Sequence, residues 1–311
     1  MSIQRQISLV ATVVVCLLVV IFPGCTEEEV VQMPSPAVPL SPVTNLRAYS
    51  ANAITVGLTW TASADVGQAD FVEHQITAMV GANTVSVVTA PKESTHTSVT
   101  NLIEGVIYTF EVVAVATPSS QTYVSSDTVD IQWAPARRLT MDGPIDIDVY
   151  EIASTVGGSG LQFFDAGSGG PQVLSIAASA GYQDIIDVLL DTTSSGVIIL
   201  ESAHLNPLLV GQARSTKFSS IEVPSDSLNV GQSEPPDLGT YDRDLVTIGS
   251  SAVATGKIFY AISADSNYVR ILVKRDSASG TLLFGDSPNR RIRVELSYQG
   301  AAGVPFAKPK P

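Results

Sequence analysis

Ile54-Thr55-Val56-Gly57-Leu58-Thr59-Trp60 alternates apolar with small or polar residues, and this period of two recurs along most of the chain. Successive side chains of a strand point to opposite faces, so such alternation predicts half-buried sheet. In the first run Ile54, Val56, Leu58 and Trp60 are expected to face inward. Phe71 to Val80 predicts another strand with Val72, His74 and Ile76 on one face, and Thr84-Val85-Ser86-Val87-Val88 follows it. Tyr108, Phe110, Val112 and Ala114 share one face of a further run, with Thr109, Glu111 and Val113 on the other. Later, GKIFYAIS (256–263) and YVRILVKR (268–275) flank Ala264-Asp265-Ser266-Asn267 and predict a hairpin. RIRVELSYQ (291–299) predicts a last strand with Ile292, Val294, Leu296 and Tyr298 inward. DIIDVLLD (184–191) fits a strand or a helix with Asp184, Asp187 and Asp191 on one face; GVIIL (196–200) follows within one turn and favours strand. The expected fold class is all-β.

Texture changes at Trp133-Ala134-Pro135-Ala136-Arg137-Arg138. Beyond it the strands are shorter, and the loops GGSG (157–160) and GSGGP (167–171) are rich in glycine. Two domains are expected: a first sandwich over 42–133 and a C-terminal β-sandwich of jelly-roll type over 137–311.

The first of these resembles a fibronectin type III domain. The opening Pro42-Val43-Thr44-Asn45-Leu46, the apolar-x-apolar-x-Trp ending at Trp60, and Leu102-x-x-Gly105-x-x-Tyr108-x-Phe110-x-Val112-x-Ala114 fall in that family's order. The resemblance implies an immunoglobulin-like sandwich with Trp60 between its sheets and a corner bond from Tyr108 to nearby backbone. His74 stands where the family often carries a tyrosine, and is expected to pack within the strand or cap it. No Arg-Gly-Asp triplet occurs, so integrin binding is not implied. Bacterial members of the family serve mostly as spacers or binding modules.

The N-terminus carries a different signal. Residues from Ile7 to Ile21 are apolar except Ser8 and Thr12, and none is charged. Such a run suits the core of a signal peptide, whereas a spanning helix needs about 20 apolar residues. Phe22-Pro23-Gly24-Cys25 resembles the lipobox of bacterial lipoproteins, although Phe and Pro stand where Leu and Ala or Ser are usual. The resemblance implies a signal peptide over 1–24, cleavage between Gly24 and Cys25, and lipid on Cys25. The chain's other cysteine, Cys16, lies within the signal peptide, so the processed chain has no intramolecular disulfide. Residues 25–41, with Pro34, Pro36 and Pro39, are expected to form an extended tether reaching up to about 50 Å.

Seventeen Lys and Arg stand against 30 Asp and Glu, a net charge of −13, which disfavours nucleic acid and anionic headgroups as partners. His-Glu-x-x-His, Gly-x-Ser-x-Gly and Cys-x-x-Cys are absent, removing the common zinc, hydrolase and redox arrangements. Asp146, Asp148 and Glu151 are candidates for a glycosidase-type carboxylate pair, but their alternation with apolar residues favours an outward strand face. Asp165 to Gly169 and Asp191 to Gly196 are oxygen-rich loops that lack the spaced carboxylates of a calcium site. No catalytic residue, metal site or cofactor is expected; His204 cannot alone supply the axial pair of a haem site. The candidate site is basic: Arg270 and Lys274 share one strand face and Arg291 and Arg293 another. Adjoining, they would form a strip for an anionic ligand such as a carboxylated or sulfated glycan; ordinary salt bridging to the many acids is the favoured reading.

The expectation is therefore a non-enzymatic, lipid-anchored cell-envelope protein at the outer membrane or cell surface. Lipid on Cys25 would hold it to the membrane while the second sandwich binds a glycan, a protein or another cell. The alternatives are a structural or assembly subunit of the envelope and a small-ligand scavenger.

Overall fold

A computed structural model describes residues 35–139, 146–177, 181–209, 214–228, 230–232, 236 and 238–305. Ala37–Pro311 forms one compact unit. Its described residues are strands and loops, with 3₁₀ turns at Ala203–Leu205, Pro207–Leu209 and Leu238–Thr240.

The first sandwich contains Val38–Pro39 (β1), Thr44–Asn52 (β2), Thr55–Thr61 (β3), Phe71–Val80 (β4), Asn83–Pro91 (β5), His96–Val99 (β6), Tyr108–Ala116 (β7), Tyr123–Val124 (β8) and Val129–Trp133 (β9). One sheet has the order β2-β3-β6, the other β5-β4-β7-β9, and β1 pairs in parallel with β8. Val56, Leu58 and Trp60 from β3 meet Ile76 and Ala78 from β4 and Tyr108, Phe110 and Val112 from β7 in one core. Each fully buried large aliphatic or aromatic side chain contributes about 1.5–3 kcal/mol, so the alternation alone supplies much of the driving force. Gly57 has a steric reason: a Cβ there would lie 1.7 Å from the Tyr49 ring.

Two inward assignments fail locally. Ile54 lies in the turn before β3 and is 51% exposed. Val72 points outward because the β4–β7 register shifts between Phe71 and Glu73; Phe71 takes the buried place ahead of His74. Such a bulge inverts the parity of every residue before it.

The second sandwich contains Arg137–Leu139 (β10), Ile147–Tyr150 (β11), Gly160–Asp165 (β12), Gly170–Leu174 (β13), Val188–Thr192 (β14), Ile198–Ser202 (β15), Lys217–Pro224 (β16), Leu245–Thr247 (β17), Lys257–Ile262 (β18), Tyr268–Val273 (β19) and Arg291–Tyr298 (β20). Its sheets have the orders β10-β20-β19-β18-β16, with β11 also on β20, and β13-β12-β14-β15-β17. Both contribute to a single core, including Leu161, Phe163, Val188 and Leu200 from one sheet and Phe259, Ile271, Val294 and Leu296 from the other. Consecutive strands pair within a sheet at β12–β13, β14–β15 and β18–β19–β20, while the chain crosses between sheets at β11–β12 and from β15 through β18. The expected β18–β19 hairpin forms, closed by Ser263 N–H donating to Asn267 O at 2.9 Å. Within DIIDVLLD only Val188 onward is strand: Asp187 is buried just before it, and its carboxylate accepts the Phe163 N–H at 2.8 Å.

The two sandwiches are joined tightly. Ala134 and Ala136, between β9 and β10, are fully buried. Arg137 Nε donates to both Glu104 oxygens at 2.9 and 2.8 Å, Gly300 N–H donates to Glu104 at 3.2 Å, and Gln299 Nε2 donates to Pro135 O at 3.2 Å. Gln232 exchanges two backbone bonds with Ala48 of β2, adding a bridge. Thus the residues where the texture changes belong to a packed interface.

Candidate functional site

Cys25 and Gly24 lie outside the described residues. The four basic residues do not form a free strip. Arg270 faces out of the six-stranded sheet but is only 1% exposed, its guanidinium 4.9 Å from the Tyr260 ring centroid. Its three side-chain nitrogens meet no hydrogen-bond acceptor. Burial pulls its pKa down to about 10, which leaves it charged at neutral pH. Tyr241 and Tyr268 stand edge-to-face beside it, and Leu228, Ile258 and Leu272 extend this apolar cover.

Lys274, Arg291 and Arg293 do come together, with acids interleaved. Antiparallel pairing of β11 with β20 sets Asp148 opposite Arg293 and Tyr150 opposite Arg291. Arg291 Nε reaches Asp148 at 2.8 Å and Arg293 Nε reaches it at 2.9 Å. Lys274 Nζ lies 2.5 Å from Asp146 and 2.7 Å from Glu295. Three cations therefore meet three carboxylates. Burial alone would raise the Asp148 carboxyl, but Arg293 and Arg291 hold it below the ordinary range. Burial likewise works against charged Lys274, yet Asp146 and Glu295 raise its pKa. The expected cationic face is thus a ladder of ion pairs, and Glu295 also holds Arg138 Nη2 at 3.4 Å. Glu151 follows the same logic, held by Arg290 Nη2 at 2.8 Å, so Asp146, Asp148 and Glu151 are ion-pair partners.

The other candidates also resolve. Asp165 accepts backbone N–H bonds from Gly167 and Ser168 and a side-chain bond from Gln172, which makes its loop a turn. No cluster of three or more His, Cys, Asp or Glu able to hold a metal occurs among the described residues. His74 packs in the core, with ring centroids 5.3 Å from Trp60 and 5.1 Å from Phe71, and burial lowers its pKa. The Tyr108 hydroxyl accepts the Ile103 N–H at 2.9 Å, the corner bond its resemblance implied.

Three features were not legible in the sequence. Ser202 Oγ lies 2.7 Å from His204 Nδ1, and His204 Nε2 lies 3.6 Å from Asp244. Those residue types suit acyl transfer, but Ser202 is fully buried and accepts the Thr216 N–H at 2.7 Å, so the group ties strands together. Asp191 and Glu201 converge on Asn206 Nδ2 at 3.2 and 3.3 Å; burial, with the Asp191 carboxylate, pushes Glu201 up to about 7.

The third is a groove of about 680 Å³ along one side of the second sandwich, between edge strands β16 and β17. At one end the two sheets are tied by reciprocal backbone bonds of Phe218 and Arg243, at 2.7 and 3.1 Å. Beyond this tie the edges separate, with Ser219, Ser220 and Glu222 on one wall and Leu245, Val246, Thr247 and Ile248 on the other. Val246 and Ile248 are core residues, each 6% exposed, so the groove reaches to the interior. It was invisible in sequence because it arises from two edges separated by some twenty residues that happen to face each other.

Comparison with known proteins bears on the first sandwich. The fibronectin type III domain family matches residues 41–123. Among solved structures, the chain is similar to the fibronectin type III domain of the human collagen alpha-1(XX) chain, at 19% identity and a TM-score of 0.28, covering 36% of this chain and 98% of that one. It is also similar to domains d3–d4 of the rat CD45 extracellular region, at 13% identity and a TM-score of 0.27, covering 32% of this chain and 51% of that one. A redesigned β-sandwich protein matches at 17% identity and a TM-score of 0.26, covering 32% of this chain and 97% of that one. No curated protein matches the chain. The first sandwich is a fibronectin type III domain, a module commonly used as a spacer or for binding.

Proposed function

We propose that the chain is a non-enzymatic, lipid-anchored protein of the cell envelope that presents a binding or adhesion domain at the outer membrane or cell surface. The observation that carries this reading is Phe22-Pro23-Gly24-Cys25 directly after a charge-free apolar run, followed by a proline-rich segment and then the fibronectin type III domain. In this arrangement Cys25 carries the lipid, the residues between Cys25 and β1 span the distance from the bilayer, and the second sandwich meets the partner. Several acyl chains would make the attachment stable. Because Lys274, Arg291 and Arg293 each already face a carboxylate, the expected partner moves away from anionic glycans and towards protein. The open groove between β16 and β17 favours a second reading, an assembly subunit that holds a neighbouring chain.

Protease shaving of intact cells, with fatty-acid labelling of wild type and Cys25→Ser, tests the proposal. Labelled wild type that is shaved, beside an unlabelled mutant that is released or retained unprocessed, supports it. Unlabelled wild type refutes the anchor. Labelled wild type that resists shaving until the outer barrier is opened refutes surface presentation and leaves internal assembly.

A further inference from the structure

We infer that the groove between β16 and β17 takes up an extended, acidic-ended segment of a partner polypeptide as an added strand. Backbone directions on β17 support this. Ser202 N–H donates to Asp244 O and Ile248 N–H donates to Ile198 O, so even-numbered residues spend their bonds on β15. Strand geometry then turns the N–H and C=O groups of Leu245 and Thr247 the other way, into the groove. An edge of this kind is a template for strand pairing, and proteins usually blunt it with charge, proline or a covering element. Here Leu245 is 38% exposed and Ile221, on the β16 side, 41% exposed. Across the groove the β16–β18 pairing shifts register between Phe218 and Glu222, leaving the opposite wall irregular. One strand is therefore expected to pair with β17, with alternate side chains lying over Val246 and Ile248.

Charge selects the occupant. Lys257 at the open end is already paired with Glu222 at 2.9 Å. Arg243, beside the Phe218 tie, is exposed and has no ion-pair partner among the described residues. Asp244 beside it is tied to Lys217 at 2.5 Å, so the Arg243 guanidinium at the closed end of the groove complements a carboxylate at the end of the incoming segment. The occupant is accordingly an extended segment ending in Asp or Glu.

This inference rests on the binding half of the proposed function and not on the anchor, which labelling and shaving test separately. The full chain, purified in detergent, is titrated with the peptide Asp-Asp-Thr-Val-Thr-Val-Thr-Asp-Asp and with the same peptide N-methylated at alternate residues. Saturable binding of the first, with at least a tenfold loss on N-methylation, is expected; tenfold is about 1.4 kcal/mol. Thr247→Pro removes an N–H that faces the groove and is expected to abolish binding while the melting temperature stays near that of wild type. Arg243→Glu is expected to weaken binding at least tenfold. Absence of binding to wild type overturns the inference. So does equal binding of the N-methylated peptide, or undiminished binding by a folded Thr247→Pro chain. If Thr247→Pro does not fold, the two peptides decide the matter without a variant.

Discussion

Replacing Asp148 by Asn tests whether the ladder on β11 and β20 is a set of working ion pairs. Asp148 is gripped by Arg291 Nε at 2.8 Å and by Arg293 Nε at 2.9 Å and Nη2 at 3.2 Å. All three side chains are about a quarter to a third exposed, so solvent screens them and each pair contributes about 0.2–1 kcal/mol. Two pairs, together with the repulsion left between two unneutralised guanidinium groups, put the loss at about 1–2 kcal/mol at neutral pH. For a sandwich of this size that lowers the melting temperature by about 2–4 °C per kcal/mol. The sign of the pH dependence is fixed as well. The folded-state pKa of Asp148 is depressed, so its stabilisation is complete above the unfolded carboxylate value of about 3.9 and is lost as pH falls through the folded value. Thermal unfolding of both proteins from neutral to strongly acid pH should show curves that separate at pH 7 and converge in acid. A difference below about 0.3 kcal/mol at pH 7, or one that stays constant with pH, would refute the reasoning.

Tyr108→Phe should destabilise the first sandwich by about 1–2 kcal/mol in urea unfolding, because the Ile103 N–H loses its acceptor while the ring still packs. His74→Phe should change the acid response of the same domain. Burial lowers the folded pKa of His74 below the unfolded value of about 6.5, so wild type loses stability as pH falls through that window, and the variant should lose measurably less.

The strand content was legible because one rule, period-two alternation, governs most of the chain: Ile292, Val294, Leu296 and Tyr298 all face inward as that rule requires. It failed where backbone geometry broke parity, at Val72 by a bulge and at Ile54 by a turn. The first domain was legible further, down to the Tyr108 hydrogen bond, since a resemblance carries side-chain roles that periodicity does not. At the candidate site the basic residues and the favoured salt bridging were legible, but not which acids supply it. Lys274, Arg291 and Arg293 could be placed on strands, but Asp146, Asp148 and Glu295 become their neighbours through pairings set by the fold. Arg270 shows a further limit, because the cover that buries it is not encoded in its own strand. Sandwich edges are hidden for the same reason: nothing local marks Thr247 as the outermost strand of its sheet.

The short β1–β8 pair has a mechanical meaning. Val38 N–H donates to Thr122 O and Leu40 N–H donates to Val124 O, each at 2.9 Å, and Leu40 is sunk into a small cluster with Phe71 and Ala114. Tension arriving from the N-terminal side would run along β1 and load these bonds together in shear. Bonds sheared in concert yield at higher force than bonds peeled one by one. The β1–β8 pair therefore works as a clasp that closes the N-terminal edge of the sandwich.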